Sequence, residues 1–144
     1  MSDETPLDDN TVKHLEFLQS VISRLAGNSF LIKGWALTIA AAFYGFSVGN
    51  AKWSIAFVGL FPIIMFWGLD AYFLHREQLF RDLYKAVWSG TPHVARFDMP
   101  YMSFINATRT YWAAFWSKTL MLFYISLICV GAALTFVVAV HWLP

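Results

Sequence analysis

Lys33 and Asp70 are the two residues whose type and position most clearly suggest chemistry, because each places a charge beside or within a long apolar stretch. Lys33 immediately precedes the uncharged run 34–51, and Asp70 is the only charged residue of the run 53–74. Counted along the chain from Ala51, Lys33 is 18 residues away and Asp70 is 19. If the two runs form neighbouring antiparallel helices, the two charges lie at nearly the same depth.

The chemistry expected of these residues is an ion pair in apolar surroundings such as a lipid bilayer. A charge inside the hydrocarbon costs on the order of 3 kcal/mol, and an oppositely charged partner reduces that cost. We therefore predict that Lys33 and Asp70 approach each other, within one chain or between neighbouring copies. The alternative is that Lys33 extends to the lipid headgroups while Asp70 is solvated near the interface.

Four further basic residues are candidates for a functional role. Arg76 and Arg81 follow the second apolar run, where they are expected to form its inner rim. A membrane enzyme can use such ionisable groups on a lipid headgroup, but a charged helix leaving the membrane is the simpler interpretation. Arg96 and Arg109 have aromatic neighbours, a combination that binds an anionic ligand or a partner by charge and stacking. The alternative is that they contact anionic lipid while the aromatic residues fill a helical core.

The sequence carries no motif typical of catalysis or of metal binding. Its four histidines are scattered, and it has neither a glycine-rich phosphate loop nor a nucleophile elbow. The single cysteine, Cys129, cannot form a disulfide within the chain. We therefore expect no enzymatic activity, no cofactor, no metal ion and no binding of nucleic acid.

The elements that must position these residues are three apolar helices. Crossing about 30 Å of hydrocarbon takes roughly 20 helical residues, and the runs 34–51, 53–74 and 119–140 have about that length. A composition of 58% hydrophobic and 13% charged residues is too apolar for an ordinary soluble domain. The sequence therefore predicts an all-α membrane protein with three transmembrane helices.

The expected organisation adds a helical stalk and an N-terminal amphipathic helix to these spans. The predicted segments are an acidic tail (1–10), the amphipathic helix (11–28), transmembrane helices at 29–50 and 54–74, a cytoplasmic helical segment (75–118) with a loop at 89–100, and a third transmembrane helix (119–141). Gly27 and its neighbours are expected to weaken or kink the first helix. Asp98 is expected to cap a helix that continues from residue 101 to residue 118 and into the third span without a break.

The basic residues predict the orientation of the chain. Of ten Lys and Arg residues, only Lys52 lies in the short connection between the first two spans, and the other nine fall on the opposite side. The positive-inside rule assigns those nine to the cytoplasm. We therefore expect a multi-pass protein of the bacterial inner membrane with a cytoplasmic N-terminus and an external C-terminus.

Small residues on the first span favour self-association. Ala41, Gly45 and Gly49 recur every four positions, which lets two helices approach closely. We therefore expect a homo-oligomer in the lipid bilayer. If the Asp70 carboxylates of several copies face a common axis, they form an acidic ring that selects cations.

Two runs of the sequence resemble a family of small uncharacterised bacterial membrane proteins. They are residues 28–35 (NSFLIKGW) and 66–77 (FWGLDAYFLHRE), and the resemblance covers about residues 12–90 without a catalytic signature. In architecture the chain is similar to compact multi-span effectors of bacterial antiphage systems. That similarity implies an oligomeric effector or channel-like subunit that a cytosolic protein or an anionic small-molecule signal gates from the cytoplasm.

Two other functional classes remain as alternatives. One is an adaptor or assembly subunit that docks a cytosolic protein through residues 75–118. The other is a small lipid-modifying enzyme, since bacterial diacylglycerol kinase also has an amphipathic helix and three spans. The glutamate cluster of that family around an Asn-Thr pair is missing here, because Ala107 follows Asn106 and no glutamate follows Glu77.

Overall fold

A computed structural model describes residues 9–50, 52–89 and 110–142, and these residues are helical apart from short turns. The helices are α1 (Asp9–Asn50), α2 (Trp53–Trp88), α3 (Tyr111–Phe115) and α4 (Lys118–Trp142). Among the described residues, α1, α2 and α4 are long and apolar enough to cross a membrane. The predicted all-helical class with three long apolar helices is thus confirmed.

The first two helices form an antiparallel pair joined by a tight turn. Its ends are fastened by Ser47 and Lys52, since the Lys52 amide donates to the Ser47 carbonyl at 3.1 Å. In return, the Ser47 hydroxyl donates to the Lys52 carbonyl at 2.9 Å. Further along the pair, Gly59 faces Phe43 so closely that a Cβ atom on Gly59 would lie 2.6 Å from the Phe43 Cβ atom. The short connection therefore makes α1 and α2 neighbours, as expected.

Helix α1 is continuous through residues 27–29, where the sequence predicts that the helix is weakened or kinked. Gly27 and Ser29 are both helical, so the amphipathic segment and the first span form one helix of 42 residues. A helical glycine costs about 1 kcal/mol relative to alanine, which tertiary contacts readily offset. Ser29 supplies such contacts, since it is buried against α2. Residues 1–8 of the predicted acidic tail lie outside the described residues, whereas Asp9 and Asn10 belong to α1.

Helix α2 continues well past its apolar run. It passes through Pro62 and ends at Trp88, with Ser89 as the residue that caps it. The predicted extension beyond residue 74 is therefore present. Of the predicted loop 89–100 only Ser89 is described, and Asp98 lies outside the described residues.

The prediction of an unbroken helix from residue 101 into the third span is wrong. Helix α3 ends at Phe115, and α4 begins two residues after Trp116. The Ser117 hydroxyl accepts a hydrogen bond from the Leu120 amide at 3.4 Å, and a serine in this position is a common helix N-cap. The ring of Phe115 also stacks on Trp67 of α2, with 4.6 Å between centroids. Capping and this long-range packing together separate α3 from α4.

The main core lies between α1, α2 and α4, with α2 in the centre. Its smaller members are alanines, which let the helix backbones approach. The buried core residues are Ala36, Ala40, Tyr44, Ala56, Ile63, Trp67, Ala71, Leu120, Tyr124 and Leu127. A second buried group, Leu15, Leu18, Leu79 and Leu83, lies toward the start of α1 and the end of α2.

Candidate functional site

Lys33 and Asp70 are in direct contact within one chain. The Lys33 Nζ atom lies 2.6 Å from the Asp70 Oδ2 atom. The Asp70 side chain has no exposed area, whereas the Lys33 side chain is 21% exposed. The depth argument from the sequence thus leads to the observed contact, and the ion pair joins α1 to α2.

Ser29 completes the α1 side of the contact. It lies four residues before Lys33, so both side chains project from the same face of α1. The Ser29 hydroxyl donates to the Asp70 Oδ1 atom and accepts from the Lys33 Nζ atom at 2.9 Å. Each Asp70 oxygen therefore has a partner on α1.

Tyr124 brings the third long helix to the same point. Its hydroxyl oxygen lies 3.2 Å from the Asp70 Oδ2 atom and 3.3 Å from the Phe66 carbonyl oxygen. The single hydroxyl proton is thus offered to two acceptors on α2. We call Ser29, Lys33, Asp70 and Tyr124 the polar joint, because these four residues connect α1, α2 and α4.

Aromatic rings cover one side of the polar joint. Trp67 stacks on Tyr124 with ring centroids 5.7 Å apart, and its Nε1 atom donates to the Phe115 carbonyl at 3.1 Å. Tyr111 adds a bond from its hydroxyl to the Gly68 carbonyl at 2.9 Å. Such packing lowers the local dielectric constant, which strengthens charge interactions and raises the cost of leaving a charge unpaired.

The polar joint is asymmetric in its access to water. Breaking a buried ion pair leaves an uncompensated charge that costs several kcal/mol. Asp70 is enclosed, so it depends on the joint for all of its partners. Lys33 is partly exposed, and a lysine can extend its ammonium group along its flexible stem toward water or headgroups. The polar joint can therefore open by a movement of the Lys33 side chain away from Asp70.

Arg81 and Arg76, the two arginines expected at the inner rim, contact side chains of their own helix, α2. The Arg81 Nη2 atom pairs with the Glu77 Oε1 atom at 2.7 Å, one helical turn away. The Arg76 guanidinium carbon lies 5.2 Å from the centroid of the Tyr72 ring. Neither arginine is among the partners of Asp70. Arg96 and Arg109, the residues expected to bind a ligand or partner, lie outside the described residues.

Asp70 does not face outward, so in the described conformation its carboxylate cannot contribute to the acidic ring that the sequence suggests. The side chain is enclosed by α1, α2 and α4 of a single chain. Hydroxyls on the outer surfaces are also occupied: Thr38, Ser126 and Thr135 each donate to a carbonyl of their own helix. Exposure of Asp70 to a pathway would require the polar joint to open.

Ser29 and Tyr124 are the site residues that the sequence did not single out. For Ser29 a signal was present, since it stands one turn before Lys33 on the same helix face. For Tyr124 the sequence offers only a hydroxyl within an apolar run, because its contact with Asp70 depends on how α4 is rotated against α2.

Within residues 9–50, 52–89 and 110–142, no three His, Cys, Asp or Glu side chains are grouped so as to hold a metal ion.

Comparisons with known proteins gave no relative. No family model, no curated protein and no solved structure matches the chain.

Proposed function

We propose that this chain is a membrane effector or channel-like subunit that works as an oligomer and is gated from the cytoplasmic side. The observation that carries the proposal is the polar joint, in which a fully enclosed Asp70 depends on Ser29, Lys33 and Tyr124 from two other helices. In this proposal the described structure is the closed state. Opening separates Lys33 from Asp70 and exposes the carboxylate to a pathway for cations.

Energetics support a switching role for the joint. A buried ion pair is a weak stabiliser, because desolvating two charges offsets most of their attraction, and hydrophobic residues of similar size often serve as well. An ionisable residue within a membrane is accordingly a candidate for function. The pair also favours two discrete states, since at intermediate separations the enclosed Asp70 carboxylate keeps its hydrogen bonds to Ser29 and Tyr124 but lacks a cation.

The length of the helices supports gating from one end. Helix α1 extends 24 residues before Lys33, from Asp9, and α2 extends 18 residues beyond Asp70, to Trp88. Because both helices are continuous, a displacement of these ends is transmitted directly to the joint. A cytosolic protein or an anionic small molecule that binds there can bias the joint. The orientation, with the N-terminus in the cytoplasm of a bacterium, rests on the positive-inside rule.

The glycines of α1 support the oligomer. A Cβ atom on Gly59 or Gly131 would meet a ring of α1, so those two glycines serve packing within the chain. Gly34, Gly45 and Gly49 are exposed, and a Cβ atom on any of them would meet no neighbouring side chain within 4 Å. Three helix-weakening residues on one outer surface favour close packing against a second copy.

The biological setting proposed is defence against phage, in which such an effector depolarises the cell. It follows from the architectural similarity to antiphage effectors described above. The polar joint fits that setting, because an effector that harms its own cell requires a closed state that is locked until a signal arrives.

The proposal is tested by ion flux from liposomes. Wild-type protein, Lys33→Gln and Asp70→Asn are reconstituted into potassium-loaded vesicles, and potassium release is followed with an electrode. Lys33→Gln opens the joint and keeps the carboxylate, so it is expected to release potassium at least several-fold faster than wild type. Asp70→Asn opens the joint but removes the carboxylate, so its release is expected to be faster than that of wild type and slower than that of Lys33→Gln. Lys13→Gln is the matched control, because Lys13 is on the same helix and its ion pair with Asp9, at 2.8 Å, is exposed. Folded joint variants that release potassium no faster than wild type and the control contradict gating by the joint.

An adaptor that docks a cytosolic protein is the second candidate function. It is favoured by a groove between the first part of α1 and the last part of α2. This open groove of about 470 Å³ is lined by Gln19, Ile22, Ser23, Arg81, Tyr84 and Lys85. Its mixed apolar and basic lining suits a segment of a cytosolic protein. Co-purification of a cytosolic protein without potassium release favours the adaptor, whereas turnover of labelled lipid would favour a lipid-modifying enzyme.

A further inference from the structure

A shallow apolar groove runs along the outer surface of α4, close to the beginning of that helix. It has a volume of about 440 Å³ and is lined by Lys118, Met121, Leu122, Ile125 and Ser126. These residues follow the three- and four-residue spacing of a single helix face. The Ser126 hydroxyl donates to the Phe123 carbonyl at 2.8 Å, so it is already bonded within its own helix. The groove therefore presents apolar side chains with a single positive charge at one end.

Lys118 is the charged group of this groove. It is exposed, and among residues 9–50, 52–89 and 110–142 no carboxylate lies within ion-pair distance of it. The next 22 residues, 119–140, carry no charge. A lysine at the end of such a span lies at the level of lipid phosphates when the helix is inserted. The positive end of the α4 dipole adds to its charge.

Two exposed tryptophans lie close to Lys118 in the sequence. Trp112 and Trp116 precede Lys118 closely, and these two residues are 61% and 57% exposed. Trp116 is held in place by an edge contact with Trp67, with ring centroids 6.1 Å apart. Exposed tryptophans are enriched where a membrane meets water, because one part of the indole is apolar and its N–H group is polar. The Lys118 end of α4 therefore has a composition typical of a helix end at a membrane–water interface.

We propose that this groove binds an anionic glycerophospholipid. Its phosphate lies at the Lys118 ammonium group, and one acyl chain lies along Met121, Leu122 and Ile125. The choice of lipid rests on charge complementarity and on the shape of the site: the lining from residue 118 to residue 125 spans ~10 Å, which suits the upper part of an acyl chain. The inference rests on membrane insertion but not on gating, so a failure of the flux experiment does not affect it.

Native mass spectrometry of the full chain in detergent tests the proposal. Phosphatidylglycerol and phosphatidylcholine with identical acyl chains are titrated separately, and the first bound lipid is quantified. Wild type is expected to prefer phosphatidylglycerol, and Lys118→Gln is expected to bind it about fivefold more weakly with phosphatidylcholine unchanged. Lys52→Gln, which removes another exposed lysine beside an apolar run, is expected to keep the wild-type preference.

Two further measurements bear on the apolar part of the site. Leu122→Ala is expected to weaken both lipids, because Leu122 is one of the residues lining the groove. Glycerol 3-phosphate in excess is expected to leave the bound lipid in place, since it has no acyl chain. The proposal is overturned if Lys118→Gln keeps the preference, if Lys52→Gln loses it equally, if Leu122→Ala binds both lipids as wild type does, or if glycerol 3-phosphate displaces the lipid.

Discussion

The Lys33 Nζ atom lies 2.6 Å from the Asp70 Oδ2 atom, yet only the lysine has access to solvent. This asymmetry predicts unequal effects of the two single substitutions. Lys33→Gln leaves an enclosed carboxylate without its cation, and we expect it to lower the free energy of unfolding by about 3 kcal/mol. Asp70→Asn lets Lys33 extend toward water, and we expect a smaller loss, about 1.5 kcal/mol, from weakened hydrogen bonds. Unfolding in mixed micelles of dodecyl maltoside and dodecyl sulfate, followed by circular dichroism, measures both.

The double variant, Lys33→Gln with Asp70→Asn, serves as the control for this prediction. If the two residues interact as described, the double variant is more stable than Lys33→Gln alone, because no carboxylate is stranded. A loss equal to the sum of the two single losses would mean that the contact contributes no coupling energy.

Tyr124→Phe tests whether α4 is held by the polar joint. The substitution removes the hydroxyl that lies 3.2 Å from the Asp70 Oδ2 atom, while the ring can still stack on Trp67. We expect a loss of about 1 kcal/mol in the free energy of unfolding, together with faster potassium release from liposomes.

Tyr44→Phe is the matched control for Tyr124→Phe. The Tyr44 hydroxyl donates to the Leu127 carbonyl at 3.2 Å and has no contact with Asp70. It also connects two helices, so a similar loss of stability is expected but no change in potassium release. Equal release rates for the two variants would show that the bond to Asp70 has no special role in gating.

The polar joint contains one contact that could be predicted from the sequence and one that could not. The approach of Lys33 and Asp70 follows from counting residues along two apolar runs that a short turn makes antiparallel. Neither the participation of Tyr124 nor the end of α3 at Phe115 follows from such counting. Both depend on Trp67, whose ring stacks on Tyr124 and on Phe115 from a distant part of the sequence. Local patterns carry no information on which face of α4 meets that ring.

Gly59→Ala is expected to destabilise the packing of α1 against α2. The added methyl group would lie 2.6 Å from the Phe43 Cβ atom, which is fixed to the α1 backbone and cannot rotate away. The helices must then separate, and we expect a loss of about 2 kcal/mol in the free energy of unfolding. Gly27→Ala is the control, since its methyl group meets no neighbour within 4 Å. That variant is expected to be as stable as wild type or up to about 1 kcal/mol more stable, and a loss equal to that of Gly59→Ala would contradict the close approach.

Gly45→Leu is expected to reduce self-association while leaving the fold of the single chain intact. The position is exposed and open, so the larger side chain fits within one chain but keeps a second α1 helix from close approach. Native mass spectrometry from lipid nanodiscs should show the wild type as an oligomer and the variant shifted toward monomer. Ala133→Leu is the matched control, because Ala133 is exposed on a different helix, α4. If both leucine variants keep the wild-type subunit number, the α1 glycines do not form the interface, and a wild type that is itself monomeric leaves no axis around which a pore can form.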